Sequence, residues 1–227
     1  FDKDFLMRKQ YVPNEYMYYF YNREQAVENI LGAERTRGEQ IADINEKMTE
    51  ELSNIDIEKD FEKALEIFDY YYGLRENSYM ASETGEKRNS TWHFDMYAPD
   101  DGGYAGVALG IIDAKNSTEK SRIIACVPND NKALDFLSES DTVEISCEIV
   151  DGKVTPIKIG DVPFENKEII TRVKAYERLA SKAIINCDRE SAVDCLYLHP
   201  LVGSYSLAEK LVDEYIELNK DFTGEWK

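Results

Sequence analysis

Basic residues are scarce in this chain, and their scarcity excludes one class of protein. The 227 residues include 27 Lys and Arg against 45 Asp and Glu, which gives a formal net charge of -18 at pH 7. A nucleic-acid-binding protein needs clustered Lys and Arg to neutralise phosphates, so this balance argues against one. The acidic residues are scattered along segments with helical spacing, which predicts a solvated surface.

Long apolar runs are also missing. No stretch approaches the roughly 20 apolar residues that a helix needs to cross a bilayer. The chain starts at Phe1, and no basic segment followed by an apolar one is found there, so we expect no secretory signal. The hydrophobic fraction of 43% is ordinary for a globular protein. A chain of this length can bury a sizeable core.

Histidine and cysteine are few, and their spacing does not indicate a metal site. The two histidines are His93 and His199, and a structural hydrogen bond is the favoured role for each. The cysteines form no Cys-x-x-Cys pair, and none lies beside a histidine at ligand spacing. We expect them to be buried, reduced thiols, which favours a cytoplasmic location. The four are Cys126, Cys147, Cys187 and Cys195.

Common catalytic motifs are absent. The sequence has no Gly-x-Ser-x-Gly, no phosphate-binding loop of the Walker type and no His-Glu-x-x-His. The glycines at 102, 103 and 106 do not match Gly-x-Gly-x-x-Gly, so they predict a tight turn at the start of a helix. No nucleophile, metal set or carboxylate pair can therefore be picked out from the residues alone.

The remaining pattern predicts an α+β protein of one domain over residues 1–227, in which helices flank a small mixed or antiparallel sheet. Residues 1–10 show no clear element. Asn14 is a candidate helix N-cap, and Thr36 with Glu39 has the spacing of a capping box. Helical periodicity predicts helices over 15–21, 22–31, 36–52, 58–72, 102–112, 166–186, 189–198 and 207–218.

Strands are predicted in the middle of the chain. A buried strand over 123–127 precedes an alternating strand over 142–150, and Asp151-Gly152 indicates a hairpin leading into 153–159. Residues 77–101 are rich in Ser, Asn, Gly and charge. They predict a long loop or lid, with a short ordered piece around 92–94.

Two segments combine a phenol with a guanidinium. Val12-Pro13-Asn14-Glu15-Tyr16 opens one helix and Thr36-Arg37-Gly38-Glu39 opens the next long one. A phenol can act as a base, and an arginine near a helix N-terminus can hold a phosphate or carboxylate. The structural alternatives are that Arg37 pairs with Glu34 or Glu39. Tyrosines in such an aromatic run mostly serve packing.

Several motifs follow one another along the chain in an order that resembles the C-terminal part of glycoside hydrolase family 4. This family comprises NAD- and metal-dependent 6-phospho-glycosidases with α-galactosidase and uronidase relatives. The similarity spans roughly residues 11–222. Its further motifs are Val127-Pro128-Asn129, Val143-Glu144-Ile145-Ser146-Cys147, Gly160-Asp161-Val162-Pro163, Lys174-Ala175-Tyr176-Glu177-Arg178-Leu179 and His199-Pro200-Leu201-Val202.

The resemblance implies a fold like the C-terminal domain of lactate and malate dehydrogenases, and an unusual reaction. In this family NAD oxidises carbon 3 of the sugar, a tyrosine removes the proton on carbon 2 beside a divalent metal, and the glycosidic group is eliminated. By resemblance Tyr16 is the catalytic base, Arg37 binds substrate, and Asn14 either contacts substrate or only caps its helix. Tyr18 and Tyr19 keep a packing role.

The resemblance also implies what lies elsewhere. The family's NAD turn and its manganese ligands are upstream of these motifs, so no cofactor-binding or metal-binding residue is expected in this chain. The implied partners are a phosphorylated disaccharide or glycoside, an N-terminal NAD-binding domain, and further copies in a dimer or tetramer.

The expected function is the C-terminal part of a 6-phospho-β-glucosidase, inactive when isolated. The alternatives are an α-glucosidase, α-galactosidase or uronidase specificity, or a non-catalytic module for sugar-phosphate binding or oligomerisation. A third possibility is a purely structural role. Where the family tends to have Arg-Gly-Gly, this chain has Asp101-Gly102-Gly103, which leaves phosphate specificity open.

Overall fold

The computed structural model describes residues 1–86, 93, 95 and 103–227. The chain divides into two compact units, Phe1–Ala98 (unit 1) and Pro99–Lys227 (unit 2). No Pro- or Gly-rich linker marks this division in the sequence. The later part of the predicted loop or lid, including most of the piece at 92–94, lies outside the described residues.

Unit 1 consists of helices. The first is better ordered than predicted, because the Asp2 side chain accepts a hydrogen bond from the Phe5 amide and Gln10 ends the helix with a φ of 57°. The predicted helix over 15–21 is a 3-10 turn followed by one α-helical turn. The elements are α1 Lys3–Lys9, a 3-10 turn Glu15–Met17, α2 Tyr18–Tyr21, α3 Arg23–Gly32, α4 Arg37–Ser53, α5 Phe61–Ser78 and α6 Ala81–Thr84.

The two long helices of unit 1 pack on each other. Helix α4 begins with the predicted capping box of Thr36 and Glu39. Helix α5 continues to Ser78, so the prediction that Gly73 ends it was wrong. An interior glycine costs only about 1 kcal/mol, which tertiary packing overrides. The Tyr71 hydroxyl, in α5, donates to Glu51 of α4 at 2.6 Å.

Unit 2 contains a three-stranded antiparallel sheet in the order β1-β2-β3. The Asp151-Gly152 hairpin forms as predicted, and the described chain is α+β. Strand β1 alternates between half-buried and exposed residues, as β2 alternates between buried and exposed ones, because one face of the sheet is exposed; the prediction of a buried strand over 123–127 was therefore wrong. The elements are α7 Gly103–Asn116, β1 Ser121–Pro128, a 3-10 turn Asp130–Lys132, β2 Thr142–Val150, β3 Lys153–Pro156, α8 Phe164–Asn186, α9 Arg189–Leu198 and α10 Tyr205–Thr223.

Two clusters of buried apolar residues stabilise unit 2. One lies under the sheet and includes Val143, Ile145 and Cys147 of β2. The other lies among α8, α9 and α10 and includes Val193 and Val212, with Trp226 packed against it. None of the helices in the described ranges is both long and apolar enough to span a membrane.

The connection between β1 and β2 is organised by one buried amide. Asn129 is 0% exposed. Its Nδ2 donates to the carbonyls of Leu134 at 2.9 Å and Ser138 at 3.2 Å, and its Oδ1 accepts from the Leu134 amide at 2.9 Å. The nearby Asp141 carboxylate is bound by Arg178, and this hydrogen bond holds the pKa of Asp141 below its usual value. Two of the family motifs are therefore structural here.

The cysteines are all free thiols, in agreement with the expectation of reduced cysteines. The expectation that all are buried was wrong. Cys147 and Cys195 are buried, and burial raises the pKa of both thiols. Cys126 is exposed because it lies on the outer face of edge strand β1, and Cys187 is half-buried at the end of α8.

The last residues of the chain close the turn between α8 and α9. The Lys227 amide donates to the Cys187 carbonyl at 2.8 Å, and the Arg189 amide donates to the Lys227 carbonyl at 3.0 Å. The Trp226 ring packs against the cluster among the three helices.

Candidate functional site

The predicted base lies at the surface of unit 1. Asn14 caps the 3-10 turn, since its Oδ1 accepts from the Tyr16 amide at 2.8 Å. This is the capping role, and the Asn14 carbonyl also accepts from the Met17 amide at 3.0 Å. The Tyr16 side chain is 59% exposed, so its phenol is open to solvent and not packed in hydrocarbon.

Arg37 is the first residue of α4, and it does not form the ion pairs considered as alternatives. Glu39 is occupied by the Thr36 cap, and Asp43 is paired with Arg35. Among the described residues no carboxylate lies within ion-pair distance of Arg37. Its Nε donates to the Ser78 carbonyl at 3.4 Å.

Tyr79 brings Tyr16 and Arg37 together, and the sequence analysis missed it. The Arg37 guanidinium carbon lies 5.5 Å from the centre of the Tyr79 ring, a cation–π contact. The Tyr16 and Tyr79 ring centres are 6.4 Å apart with an interplanar angle of 79°. The Tyr79 hydroxyl donates to Glu15 Oε1 at 2.7 Å. Hydrogen bonds with Tyr16 and Glu15 raise the pKa of Tyr79.

A second tyrosine–carboxylate pair lies beside this group. The Tyr19 hydroxyl donates to Glu83 Oε1 at 2.8 Å, and Asn29 Nδ2 donates to the Glu83 carbonyl at 2.9 Å. Burial, reinforced by Glu83, raises the pKa of Tyr19 to about 12, while the positive charge of Arg37 acts in the opposite direction. Glu83 is only 9% exposed, and its Oε2 has no hydrogen-bond partner within the described residues.

These additional residues carried weak signals in the sequence. Tyr19 follows Tyr16 by three positions, the spacing of neighbours on one helical face, but it was assigned a packing role. Tyr79 fell in the stretch interpreted as a loop, and α5 in fact continues to the residue before it. Nothing local to Glu83 separates it from the other acidic residues.

A metal site is not formed by this part of the protein. Within the described ranges, no three His, Cys, Asp or Glu side chains are grouped so that they could hold a metal ion. The residues present therefore do not fit the divalent metal that the resemblance implies. The cluster of Glu15, Tyr16, Tyr19, Arg37, Tyr79 and Glu83 offers a solvent-open phenol, a guanidinium for which the described residues provide no carboxylate partner, and hydroxyls hydrogen-bonded to carboxylates.

Comparison with known proteins decides the family. Residues 2–202 match the model of the family 4 glycosyl hydrolase C-terminal domain. The chain belongs to this family. It is 23% identical over 221 residues to a Bacillus subtilis protein named "Probable 6-phospho-beta-glucosidase", covering 97% of this chain and 43% of that protein. It is 25% identical over 217 residues to the phospho-alpha-glucosidase PagL of Clostridium acetobutylicum, covering 95% and 42%.

A solved structure supports the fold of this C-terminal domain. The 6-phospho-beta glucosidase of Thermotoga maritima, solved with manganese, NAD+ and glucose-6-phosphate, superposes with a TM-score of 0.66 at 20% identity. The superposition covers 98% of this chain and 45% of that enzyme. The family 4 prediction and the fold prediction are thus confirmed. This chain spans less than half the length of the curated relatives it matches.

Proposed function

We propose that this chain is the substrate-side part of a 6-phospho-glucosidase, of the β type, in which Tyr16 removes the proton on carbon 2 of the sugar. The observation that carries the proposal is the meeting of an exposed phenol and a guanidinium on one ring, that of Tyr79, where the guanidinium has no carboxylate partner in the described part of the chain. Family membership supplies the reaction class, and the cluster supplies the residues.

The chemistry of Tyr16 depends on its neighbours. A free phenol has a pKa of ~10, so a phenol that acts as a base near neutral pH needs a nearby positive charge. Arg37 provides such a charge across the Tyr79 ring. Oxidation of carbon 3 belongs to NAD and charge stabilisation at the neighbouring oxygens to the divalent metal, and we place both in the part of the parent polypeptide outside this chain.

Arg37 is proposed to bind the anionic group of the substrate. A guanidinium matches the geometry of a phosphate or carboxylate with paired N–H donors. Other arginines of this chain, such as Arg178 and Arg189, are paired with a carboxylate. Arg37 is half-buried against the Tyr79 ring and has no carboxylate partner among the described residues. It is therefore suited to bind an anionic ligand. Asn14 would not contact the substrate itself. It would act indirectly, because its cap on the 3-10 turn orients Tyr16.

The remaining parts of the proposal concern the parent protein. An N-terminal NAD-binding domain, assembly into a dimer or tetramer and a cytoplasmic location are all proposed from the family and from the free thiols. The isolated chain is proposed to be inactive, because the redox and metal chemistry would have no site on it.

The test uses the full-length parent polypeptide and its Tyr16→Phe variant in D₂O. We expect the variant to lose exchange of the carbon 2 proton by at least ~100-fold, the lower end of what a positioned base contributes. Binding of NAD should not change. Mass spectrometry and NMR of the product measure the deuterium at carbon 2.

Tyr70→Phe is the matched control, since this α5 tyrosine is 63% exposed and outside the cluster. Exchange at the wild-type rate in Tyr16→Phe would remove Tyr16 from the mechanism. Assays with 6-phospho-β-glucoside, its α anomer and the unphosphorylated β-glucoside decide the specificity. If the parent turns over none of them but binds glucose 6-phosphate in calorimetry, the chain is a binding module.

A further inference from the structure

Three side chains of unit 1 form a line from the phenol of Tyr16 to solvent. Tyr16 is hydrogen-bonded to Tyr79, and the Tyr79 hydroxyl is 2.7 Å from Glu15 Oε1. The two rings meet edge to face, with their centres 6.4 Å apart. The line ends at Glu15, which is exposed. We propose that Tyr79 and Glu15 form a proton relay that exchanges the proton of Tyr16 with solvent, an inference that rests on the function proposed above for Tyr16.

The hydrogen bonds of this line have a defined direction. Tyr79 has a single hydroxyl proton, and that proton is donated to the Glu15 carboxylate. The hydrogen bond between the two phenols must therefore be donated by Tyr16 and accepted by the Tyr79 oxygen. In this arrangement the first transfer follows hydrogen bonds that are already formed.

The transfer balances in atoms and charge. The O–H bond of Tyr16 breaks and its proton bonds to the Tyr79 oxygen, while the original O–H bond of Tyr79 breaks and that proton bonds to Glu15 Oε1. The products are a Tyr16 phenolate, a neutral Tyr79 that now donates to it, and a neutral Glu15 carboxyl. Glu15 then releases its proton to water. After the Tyr79 hydroxyl has turned back to Glu15, the same sequence carries away a proton that Tyr16 has taken from carbon 2, and its reverse brings a proton from solvent to Tyr16.

The charged and titratable groups around the line favour this direction. The Arg37 guanidinium over the Tyr79 ring stabilises the negative charge as it moves from Glu15 to Tyr16. The nearby Tyr19 hydroxyl donates its hydrogen bond to Glu83, so it does not compete with Tyr16 for the Tyr79 oxygen. Hydrogen bonds with Tyr16 and Glu15 raise the pKa of Tyr79, so this residue stays protonated at neutral pH. It therefore gives up one proton only as it receives another.

A relay is needed because the open face of Tyr16 is the face that the substrate would cover. In unit 1 the Tyr16 phenol is 59% exposed, and a sugar placed against it would displace the water there. Tyr79 connects Tyr16 to Glu15, which is exposed. Tyr79 and Glu15 thus give Tyr16 a proton path that remains when the site is filled.

The experiment measures the fate of the carbon 2 proton in the full-length parent polypeptide. Wild-type enzyme is given protonated 6-phospho-glucoside in D₂O, and deuterium at carbon 2 of the product is measured. In Tyr79→Phe and in Glu15→Gln we expect exchange between Tyr16 and solvent to slow about 100-fold, in the range contributed by positioned proton donors. The product should then retain protium at carbon 2.

The double variant should retain no more protium than either single variant, because both interrupt the same line. Glu15→Asp, which keeps the carboxylate, should recover part of the exchange. Phenylalanine at 79 keeps the ring under Arg37, and circular dichroism melts show whether each variant is folded. A general loss of structure would slow turnover but would not change the isotope at carbon 2.

Wild-type deuterium content in both single variants would overturn the relay. An effect of Tyr79→Phe without one of Glu15→Gln would overturn it too, because Glu15 would not be the exit. The Tyr16→Phe variant keeps the two proposals apart. If it alone abolishes exchange, Tyr16 is the base and the relay is wrong, whereas unchanged exchange in Tyr16→Phe would remove the base itself.

Discussion

Asn129 of unit 2 and Glu83 of unit 1 are both buried polar side chains, and they differ in how completely they are hydrogen-bonded, although unit 2 also contains the buried Trp226 Nε1 without a partner among the described residues. In unit 2, Asn129 is fully buried and both ends of its amide are hydrogen-bonded to the β1–β2 connection. In unit 1, Glu83 is 9% exposed, one of its oxygens accepts from Tyr19, and the other has no partner among the described residues. Both residues lie in segments that are acidic or polar in sequence, yet only the first is satisfied.

This difference separates a folding role from a chemical one. Buried polar groups are nearly always hydrogen-bonded, and exceptions tend to mark functional sites. Unit 2 uses Asn129 and Asp141 to hold a loop against its sheet. Unit 1 places its incompletely bonded carboxylate beside Tyr19, next to the cluster proposed to act on substrate. Substitutions at these residues should therefore change the free energy of unfolding by different amounts.

The largest effect is expected for Asn129→Ala. The substitution leaves the Leu134 amide and the facing carbonyls without their partner, and each buried unsatisfied group costs about 1–3 kcal/mol. We expect the free energy of unfolding of unit 2 to fall by about 3 kcal/mol. Hydrogen exchange of the β2 amides measures it separately from unit 1.

Asn186→Ala is the matched control, because Asn186 Nδ2 donates to the Lys182 carbonyl at the surface. It should change the stability by less than about 0.5 kcal/mol. Equal effects of the two substitutions would mean that the amide network of Asn129 does not hold the connection.

A smaller and pH-dependent effect is expected for Tyr19→Phe in unit 1. Removing the hydroxyl deprives Glu83 of its bonded partner, which should cost about 1 kcal/mol at pH 8. Because the pKa of Tyr19 is raised from 10.0 to about 12, the neutral phenol is favoured in the folded state. The stabilisation that the Tyr19 hydroxyl gives to the folded state is complete below pH 10.0 and is lost as the pH rises through about 12.

The stability difference between wild type and Tyr19→Phe should therefore shrink in the alkaline range. Chemical denaturation followed at pH 8 and at increasing alkaline pH tests this. Tyr71→Phe is a useful comparison, since the hydrogen bond to Glu51 likewise raises the pKa of Tyr71 to about 12. A difference that stays constant or grows with pH would contradict the assigned role of the Tyr19 hydroxyl.

The smallest effect is expected for Glu83→Gln. The amide keeps an oxygen to accept from Tyr19 and replaces a buried carboxylate oxygen that has no partner among the described residues, and burying such an unsatisfied group is costly. We expect the unfolding free energy of unit 1 to stay within about 0.5 kcal/mol of wild type, or to rise.

The matched substitution in unit 2 is Asp141→Asn. That carboxylate accepts from both Arg178 and the Ser138 amide, so its loss should be clearly destabilising. If Glu83→Gln destabilises as much as Asp141→Asn in denaturant melts, the contrast between the two units is wrong.

Local chemistry predicted much of the fold. The capping box at Thr36 and the Asp151-Gly152 hairpin formed where the residues indicated them, because caps and tight turns depend on neighbours in sequence. Features set by distant contacts were missed. Gly73 continues a helix that packs on α4, β1 is an edge strand with Cys126 exposed, and the division into two units has no composition signal.

The candidate site was only partly predictable. Tyr16, Asn14 and Arg37 were found through family motifs, and their assignment as base and substrate ligands remains a prediction. Tyr79 and Glu83 are 63 and 67 positions from Tyr16 in the chain, so only the packing of α5 and α6 in unit 1 shows that they belong together. Acidic residues are so numerous here that no local pattern singles out Glu83.

The closure of the α8–α9 turn by Lys227 has a practical consequence for labelling and purification. An affinity tag or fluorophore attached to the final residues would compete with the two main-chain hydrogen bonds to Cys187 and Arg189 and would crowd the indole of Trp226. The exposed thiol of Cys126 on strand β1 offers an attachment point that leaves the hydrogen bonds of Lys227 intact.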